Sequence, residues 1–147
     1  MRLLNWYVPL LFAGVRVEQV DDDFRYARAA LHARWFNRNY VGTHFGGTLY
    51  SMTDPFFMIM VMENLGSDYL VWDRRGEVEY LKPGRGKIVV ELRVAEADLQ
   101  TIRDATAVGE KYEHWFSCEL KDPSGEVIAR VRKQVYVRLK QRNRTPQ

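Results

Sequence analysis

"NYVGTHFGGTLYSMTDPFFMIMVM", residues 39–62, carries one charged side chain, Asp54, in a stretch that grows more apolar toward its end. Phe56 to Met62 is apolar without alternation, which predicts a helix buried on every side. Asp followed by Pro is a favoured helix start, with Asp54 as N-cap and Pro55 in the first helical position. The helix then runs to about Leu65, and Gly46–Gly47 are merely loop. A second reading starts the helix just after Phe45–Gly46–Gly47 and puts Asp54 inside it. There Pro55 removes the amide that would bond the Ser51 carbonyl and kinks the helix. The residues alone leave both readings open.

The flanks read as strands. In "RYARAALHARW" Ala27, Ala29, Leu31, Ala33 and Trp35 alternate with Arg28, His32 and Arg34, a period of two. Small inward alanines let a sheet approach something thick. "VRVEQV" is a short strand before it. "DYLVWDRRGEVEYLKPGRG" gives one or two strands closed by a turn at Pro83–Gly84, and "GKIVVELRVAEA" alternates again. A polar stretch from Asp98 to Ala107 suits a short helix. "KYEHWFSCEL" and "EVIARVRKQVYVRL" flank the turn "KDPSG" as a long hairpin. One buried helix and five or six strands, mostly after it, predict an α+β fold, a curled sheet wrapped around that helix. A single domain over residues 1–147 is expected, with a flexible tail at 141–147.

Composition narrows the classes. With 147 residues, 46% hydrophobic and 28% charged, the chain is long enough for one real core. No apolar run reaches membrane-helix length. "MRLLNWYVPLLFAGV" has Arg2 before an apolar stretch, as a signal peptide does. Asn5, Trp6 and Pro9 interrupt it and no small-x-small site follows, so residues 1–13 are expected to be an amphipathic lid on the core. Cys118 is the single cysteine, which excludes an internal disulfide and a cysteine metal cluster and suits a reducing cytoplasm. It alternates with Tyr112, His114, Phe116 and Leu120, a strand's buried face. A net charge of +3 is too small to argue for nucleic acid. Arg130, Arg132, Lys133, Arg138, Lys140, Arg142 and Arg144 gather late, read either as a solvated strand face with a frayed tail or as a patch for an anionic ligand. No metal or redox cofactor is implied.

Chemistry concentrates in residues 39–54. Adjacent glycines let a ligand approach the backbone, and free amides at a helix start bind the oxyanion that forms when a thioester or ester carbonyl is attacked. A carboxylate in apolar surroundings becomes a better base. An oxyanion donor and a carboxylate together make a minimal hydrolase.

The spacing Asn39, Gly42, Gly46, Gly47, Asp54 resembles that of hotdog-fold acyl-CoA thioesterases of the phenylacetate-pathway type. There an Asn, a Gly and His-Gly-Gly lead into the central helix, with an acid seven residues after the second glycine. "VEYLKPGRGKIVVEL" resembles the same family's strand-turn-strand segment. Over roughly residues 14 to 138 the chain looks still more like the DUF4442-type branch of these proteins. The family's histidine position carries Phe45, and His44 is displaced by one residue.

The resemblance implies a hotdog fold and an acyl thioester hydrolase. Asp54 would be general base or, less favoured, nucleophile. The Gly46 amide would be the oxyanion donor, and Asn39 and His44 would orient the loop or the water. Gly47, His44, Phe45 and Arg85 would contact substrate, with Lys82 and Arg85 drawing CoA phosphates. If Gly46 and Asp54 share one helix, eight residues separate them by about 12 Å. A base must reach a water at the carbonyl carbon. Two chains about a twofold axis meet that demand, so a homodimer, or a tetramer of paired dimers, is expected. The rivals are a non-catalytic acyl-CoA-binding module, favoured by Phe45, and a dehydratase or hydratase using His44 with Asp54.

Overall fold

Period-two alternation on both flanks becomes six antiparallel strands. In the computed structural model, which describes residues 2–140, a 3-10 turn (Arg2–Trp6) and α1 (Val8–Ala13) precede β1 (Val15–Val20) and β2 (Tyr26–His32). Then come α2 (Gly46–Ser51), α3 (Phe56–Leu65), β3 (Tyr69–Tyr80), β4 (Lys87–Arg93), α4 (Glu96–Thr106), β5 (Tyr112–Lys121) and β6 (Val127–Leu139). The sheet order is β1-β2-β4-β5-β6-β3, so the chain leaves β2, crosses the sheet as helix, and re-enters at the opposite edge. The expected flexible tail at 141–147 lies outside the described residues.

The inward positions match the alternation. Ala27, Ala29 and Leu31 of β2, Ile88, Val90 and Leu92 of β4, and Phe116, Cys118 and Leu120 of β5 are buried, with Ala129, Val131, Val135 and Val137 of β6. Against them α3 buries Phe56, Phe57, Met60 and Val61, and Phe57 stacks on Phe116 with centroids 4.9 Å apart. Each such side chain contributes about 1.5–3 kcal/mol on burial. Asn64 ties the end of α3 to the β1–β2 turn by donating to the carbonyls of Asp23 and Phe24, and Gly66 (φ 85°) ends the helix. At the start of α4 the Asp98 carboxylate accepts the Ala95 amide. In the N-terminal segment Leu10 is buried, while Trp6, Val8 and Phe12 stay exposed. Asn5 holds the segment on β1 through both the amide and the carbonyl of Val17.

Four expectations need correction. The central helical span runs from Gly46 to Leu65, as the reading that starts it at the glycines has it, but is broken at residues 52–55 rather than kinked, and the reading with Asp54 as N-cap fails. Asp54 lies in the break, and Pro55, joined to it by a cis peptide bond, is the N-cap of α3. The amides of Thr53 and Asp54 reach back three residues, to the carbonyls of Tyr50 and Ser51, tightening and ending α2. Nor is Phe56 to Met62 buried all round: Met58 and Ile59 are half-buried and Met62 is 38% exposed.

Trp35 does not continue the apolar face of β2. The strand stops at His32, because the buried Asn37 side chain takes the His32 carbonyl and the Arg34 amide and turns the chain. Trp35 is left 85% exposed. Lys133, finally, does not share the solvated face of Arg130 and Arg132. It points inward between Val131 and Val135 and is 3% exposed.

Candidate functional site

Two groups of polar side chains flank α2. The first surrounds its start. Asn39 spends its whole side chain on its own loop: Oδ1 accepts the amides of Val41 and Thr43, and Nδ2 donates to Thr43 Oγ1 and the His44 carbonyl. Gly42, in the left-handed region at φ 79°, closes that turn. His44 fastens the loop to the Pro83–Gly86 turn, its amide donating to the Gly84 carbonyl and its Nε2 lying 2.9 Å from the Gly86 carbonyl. A carbonyl only accepts, so Nε2 carries the hydrogen and Nδ1 is a buried acceptor without partner. Burial pushes the imidazole below its ordinary pKa, against the pull of the Gly86 carbonyl. The ring is thus tied to the neighbouring turn.

Gly46 and Gly47 open α2, so their amides have no acceptor within the helix. The space over their α-carbons is filled by the protein's own aromatic rings. A Cβ on Gly46 would lie 2.9 Å from the Tyr80 ring, and one on Gly47 would lie 2.5 Å from that of Phe45. Tyr80 also donates to the Gly46 carbonyl at 2.8 Å. Asn39, Thr43, His44, Gly46, Tyr80 and Arg85 line one cleft of about 500 Å³. Lys82 also lines it but is paired with Glu126.

The second group sits beneath the helix break. Lys133 Nζ lies 2.5 Å from Asp54 Oδ1, 2.8 Å from Asp73 Oδ2 and 3.3 Å from the Tyr50 hydroxyl. Four elements converge here: Tyr50 from α2, Asp54 from the break, Asp73 from β3 and Lys133 from β6. A bulge between Asp73 and Arg75 shifts the register against β6, and Gly76 faces Lys133. A Cβ on Gly76 would lie 1.7 Å from the Tyr50 oxygen, so only glycine lets that phenol cross β3. Burial alone disfavours the Lys133 charge, but Asp54 and Asp73 outweigh it and hold the ammonium above the ordinary lysine range. Burial raises the Asp73 carboxyl, Lys133 pulls it back, and the nearby Asp54 carboxyl raises it further. Asp73 Oδ1 is buried without partner, whereas the Asp54 side chain is 49% exposed and no described residue bonds its Oδ2.

The fold thus gathers Asn39, His44, Gly46 and Arg85 around one cleft and sets Asp54 apart from it, beyond the end of α2. Sequence reading missed Lys133 and Asp73 as partners of Asp54. The signal was present in β6, where Lys133 interrupts the run Ala129, Val131, Val135, Val137 as a lone cation on an apolar face. Of the other late basic residues, Arg130 and Arg132 pair with Glu119 and Glu77, while Arg138 and Lys140 donate to the Gly109 and Ser67 carbonyls. Arg142 and Arg144 lie outside the described residues. Cys118 is buried on β5, its thiol pushed up to about 12 by burial, as its strand position implies. Among the described residues no cluster of three or more metal-ligating side chains occurs, and no helix is long and apolar enough to cross a membrane.

An antiparallel sheet curled about one central helical span is the hotdog arrangement. Residues 3–137 match the family described as Domain of unknown function (DUF4442), and the chain belongs to that family. Among solved structures it is similar to protein PA5026 of Pseudomonas aeruginosa, described as of unknown function and "Probable Thioesterase". The TM-score is 0.81 at 18% identity, over 95% of this chain and 97% of that one. It is also similar to thioesterase HI1161 of Haemophilus influenzae, with a TM-score of 0.70 at 10% identity over 97% and 90% of the two chains. A mutant of thioesterase PA1618 from Pseudomonas aeruginosa gives 0.71 at 13% identity over 95% and 91%. At such identities the likeness establishes the hotdog fold. No curated protein matches the chain.

Proposed function

We propose that the protein hydrolyses acyl thioesters, most simply acyl-CoA, with Asp54 as general base and the Gly46 amide as oxyanion donor. The observation that carries this reading is the state of Asp54. It is a half-exposed carboxylate at a break in the central helix, with one oxygen held by a buried ammonium and the other without a partner among the described residues. The described neighbours that are thioesterases support it. Asp54 takes a proton from water as the water oxygen bonds to the thioester carbon, and the carbonyl electrons move onto oxygen, an oxyanion to which the amide donates a hydrogen bond. Collapse breaks the C–S bond, and the proton leaves with the thiol. Asn39 shapes the loop that presents the glycines, and Arg85, at the cleft rim, attracts the CoA phosphates.

Within one chain Asp54 does not line the cleft that holds Gly46. The reading therefore requires a homodimer, with Asp54 of one subunit facing Gly46 of the other. Pairing of dimers into a tetramer is compatible with it. The half-exposed apolar side of α3 and the position of β3 at the sheet edge favour such association.

The test is thiol release from a panel of acyl-CoAs by the native chain, Asp54→Asn and Arg85→Ala, with sedimentation at the assay concentration. Asp54→Asn is expected to lose at least about 100-fold in kcat while remaining folded. Arg85→Ala is expected to raise KM about threefold with kcat unchanged. Full turnover by Asp54→Asn, or by a sedimenting monomer, ends the proposal.

A second reading, a module that binds acyl-CoA without turning it over, is favoured by Phe45, whose exposed ring covers Gly47 where the resembling family has histidine. Tight binding without turnover on any acyl chain would select it. The dehydratase alternative fares worse, because His44 is buried and its Nε2 is committed to Gly86.

A further inference from the structure

A lysine inside an apolar sheet face needs a reason. Taking an ammonium out of water costs several kcal/mol unless it is paired with good geometry. Leucine or methionine would fill the space under the helix break more simply. Lys133 instead stands opposite Phe116 on β5 and Gly76 on β3, both compatible with a long side chain reaching up to the break. Its three hydrogens have three acceptors at bonding distance: Asp54 Oδ1, Asp73 Oδ2 and the Tyr50 hydroxyl. Two of these are spent below the break, on β3 and α2, and the third on the one acid that faces solvent. Gly76, the bulge at Asp73 and the crossing of Tyr50 all serve the same point.

We propose that Lys133 is the positioning residue for Asp54: anchored on Asp73 and Tyr50, its ammonium holds Oδ1 and leaves Oδ2 for the attacking water. This rests on the hydrolase reading given above and adds a residue to it. Lys133 touches neither substrate nor water and acts through Asp54. A half-exposed carboxylate has several rotamers, and fixing one oxygen selects one of them. Asp73 stops the ammonium from following Asp54 outward, and its own raised carboxyl shows the cost of that burial. The charged and titratable groups around the pair are Asp73 from β3, Tyr50 from α2 and Cys118 from β5.

The experiment compares Lys133→Met, Lys133→Arg and Asp73→Asn with the native chain and with Asp54→Asn. Each is followed by kcat and KM, by thermal melting, and by the carbon-13 signal of the Asp54 carboxyl. Lys133→Met is expected to lose about 10- to 100-fold in kcat with KM within about threefold, and to move the Asp54 carboxyl signal as its rotamers mix. Lys133→Arg should recover part of kcat and return the signal toward its native place, since a cation is restored. Asp73→Asn keeps the ammonium and its hydrogen bonds to Asp54 and Tyr50 but loosens its anchor, and should show a smaller loss of kcat and a smaller displacement of that signal, which covers the case in which Lys133→Met does not fold. A lysine that merely fills the core would give the opposite: native kcat and an unchanged Asp54 signal in every folded variant. That result overturns the proposal while Asp54→Asn still abolishes turnover. If Asp54→Asn retains turnover, the hydrolase reading has failed instead, and the carboxyl signal alone then decides whether Lys133 holds Asp54.

Discussion

The two ends of α2 solve opposite problems. At the start, the loop from Asn39 to Gly47 is held by its own side chains, as Asn39 and His44 satisfy carbonyls and amides within a few residues or across one turn. At the far end, the Asp54 side chain has no local partner among the described residues. Its partner Lys133 is 79 residues away in sequence, and Asp73 reaches that lysine from another strand. The glycine loop is a short-range object whose spacing writes itself into the sequence. The lysine cluster is a product of sheet topology. The first holds a backbone in place, and the second holds a charge.

Breaking the long-range end should cost most. Lys133→Met leaves Asp73 buried without a counter-charge, and removal of one partner from a buried pair typically costs about 3–5 kcal/mol. The half-exposed Asp54 and the ability of Asp73 to take a proton keep the expected loss near the lower end of that range, about 3 kcal/mol in urea unfolding. The same pair gives a signed pH dependence. The Lys133 ammonium is held above its ordinary 10.5, so its stabilisation is fully present below that pH and is lost as pH rises toward the folded value. Native protein should lose melting temperature more steeply than Lys133→Met above pH 10.5.

A substitution at Gly76 sharpens the comparison, because it disturbs the cluster without touching a charge. Gly76→Ala puts a methyl where the Tyr50 oxygen lies, and overpacking of this kind costs about 1–3 kcal/mol. The Tyr50→Phe, Gly76→Ala double variant should not recover it, since the ring itself lies within 2.7 Å of the new atom.

The smallest effect is expected at the glycine loop. His44 is neutral and held below its ordinary 6.5, so the unfolded chain binds the proton first and stability falls as pH drops through and below 6.5. One proton limits that slope to about 1.4 kcal/mol per pH unit. His44→Gln should flatten it in melts recorded between neutral pH and mild acid, and an unchanged slope would place the titration elsewhere.

Much of this was legible in the residues. The alternations around Ala27, Val90, Leu120 and Val135 predicted strands that form where expected, and the apolar run from Phe56 predicted α3. The bonds of Asn39 and Gly42 close within a few residues, and the resemblance marked their spacing, whereas whether Gly46 was loop or helix start stayed open until α2 was seen to begin there. Three features misled. Trp35 fits the β2 alternation but falls beyond the turn that Asn37 imposes. Asp54-Pro55 has the wording of a helix start, yet the cap position falls on Pro55 and the carboxylate turns to Lys133. Lys133 itself was counted with its charged neighbours rather than with the apolar face whose spacing it keeps.

By itself the sequence determined which segments are strands and that the apolar run from Phe56 is helix, because periodicity and apolar runs act over a few residues. Only the tertiary structure decided what Asp54 is. An acid's role depends on the charge that meets it, and that charge arrives from the last strand, carried there by a sheet order in which β6 lies beside β3.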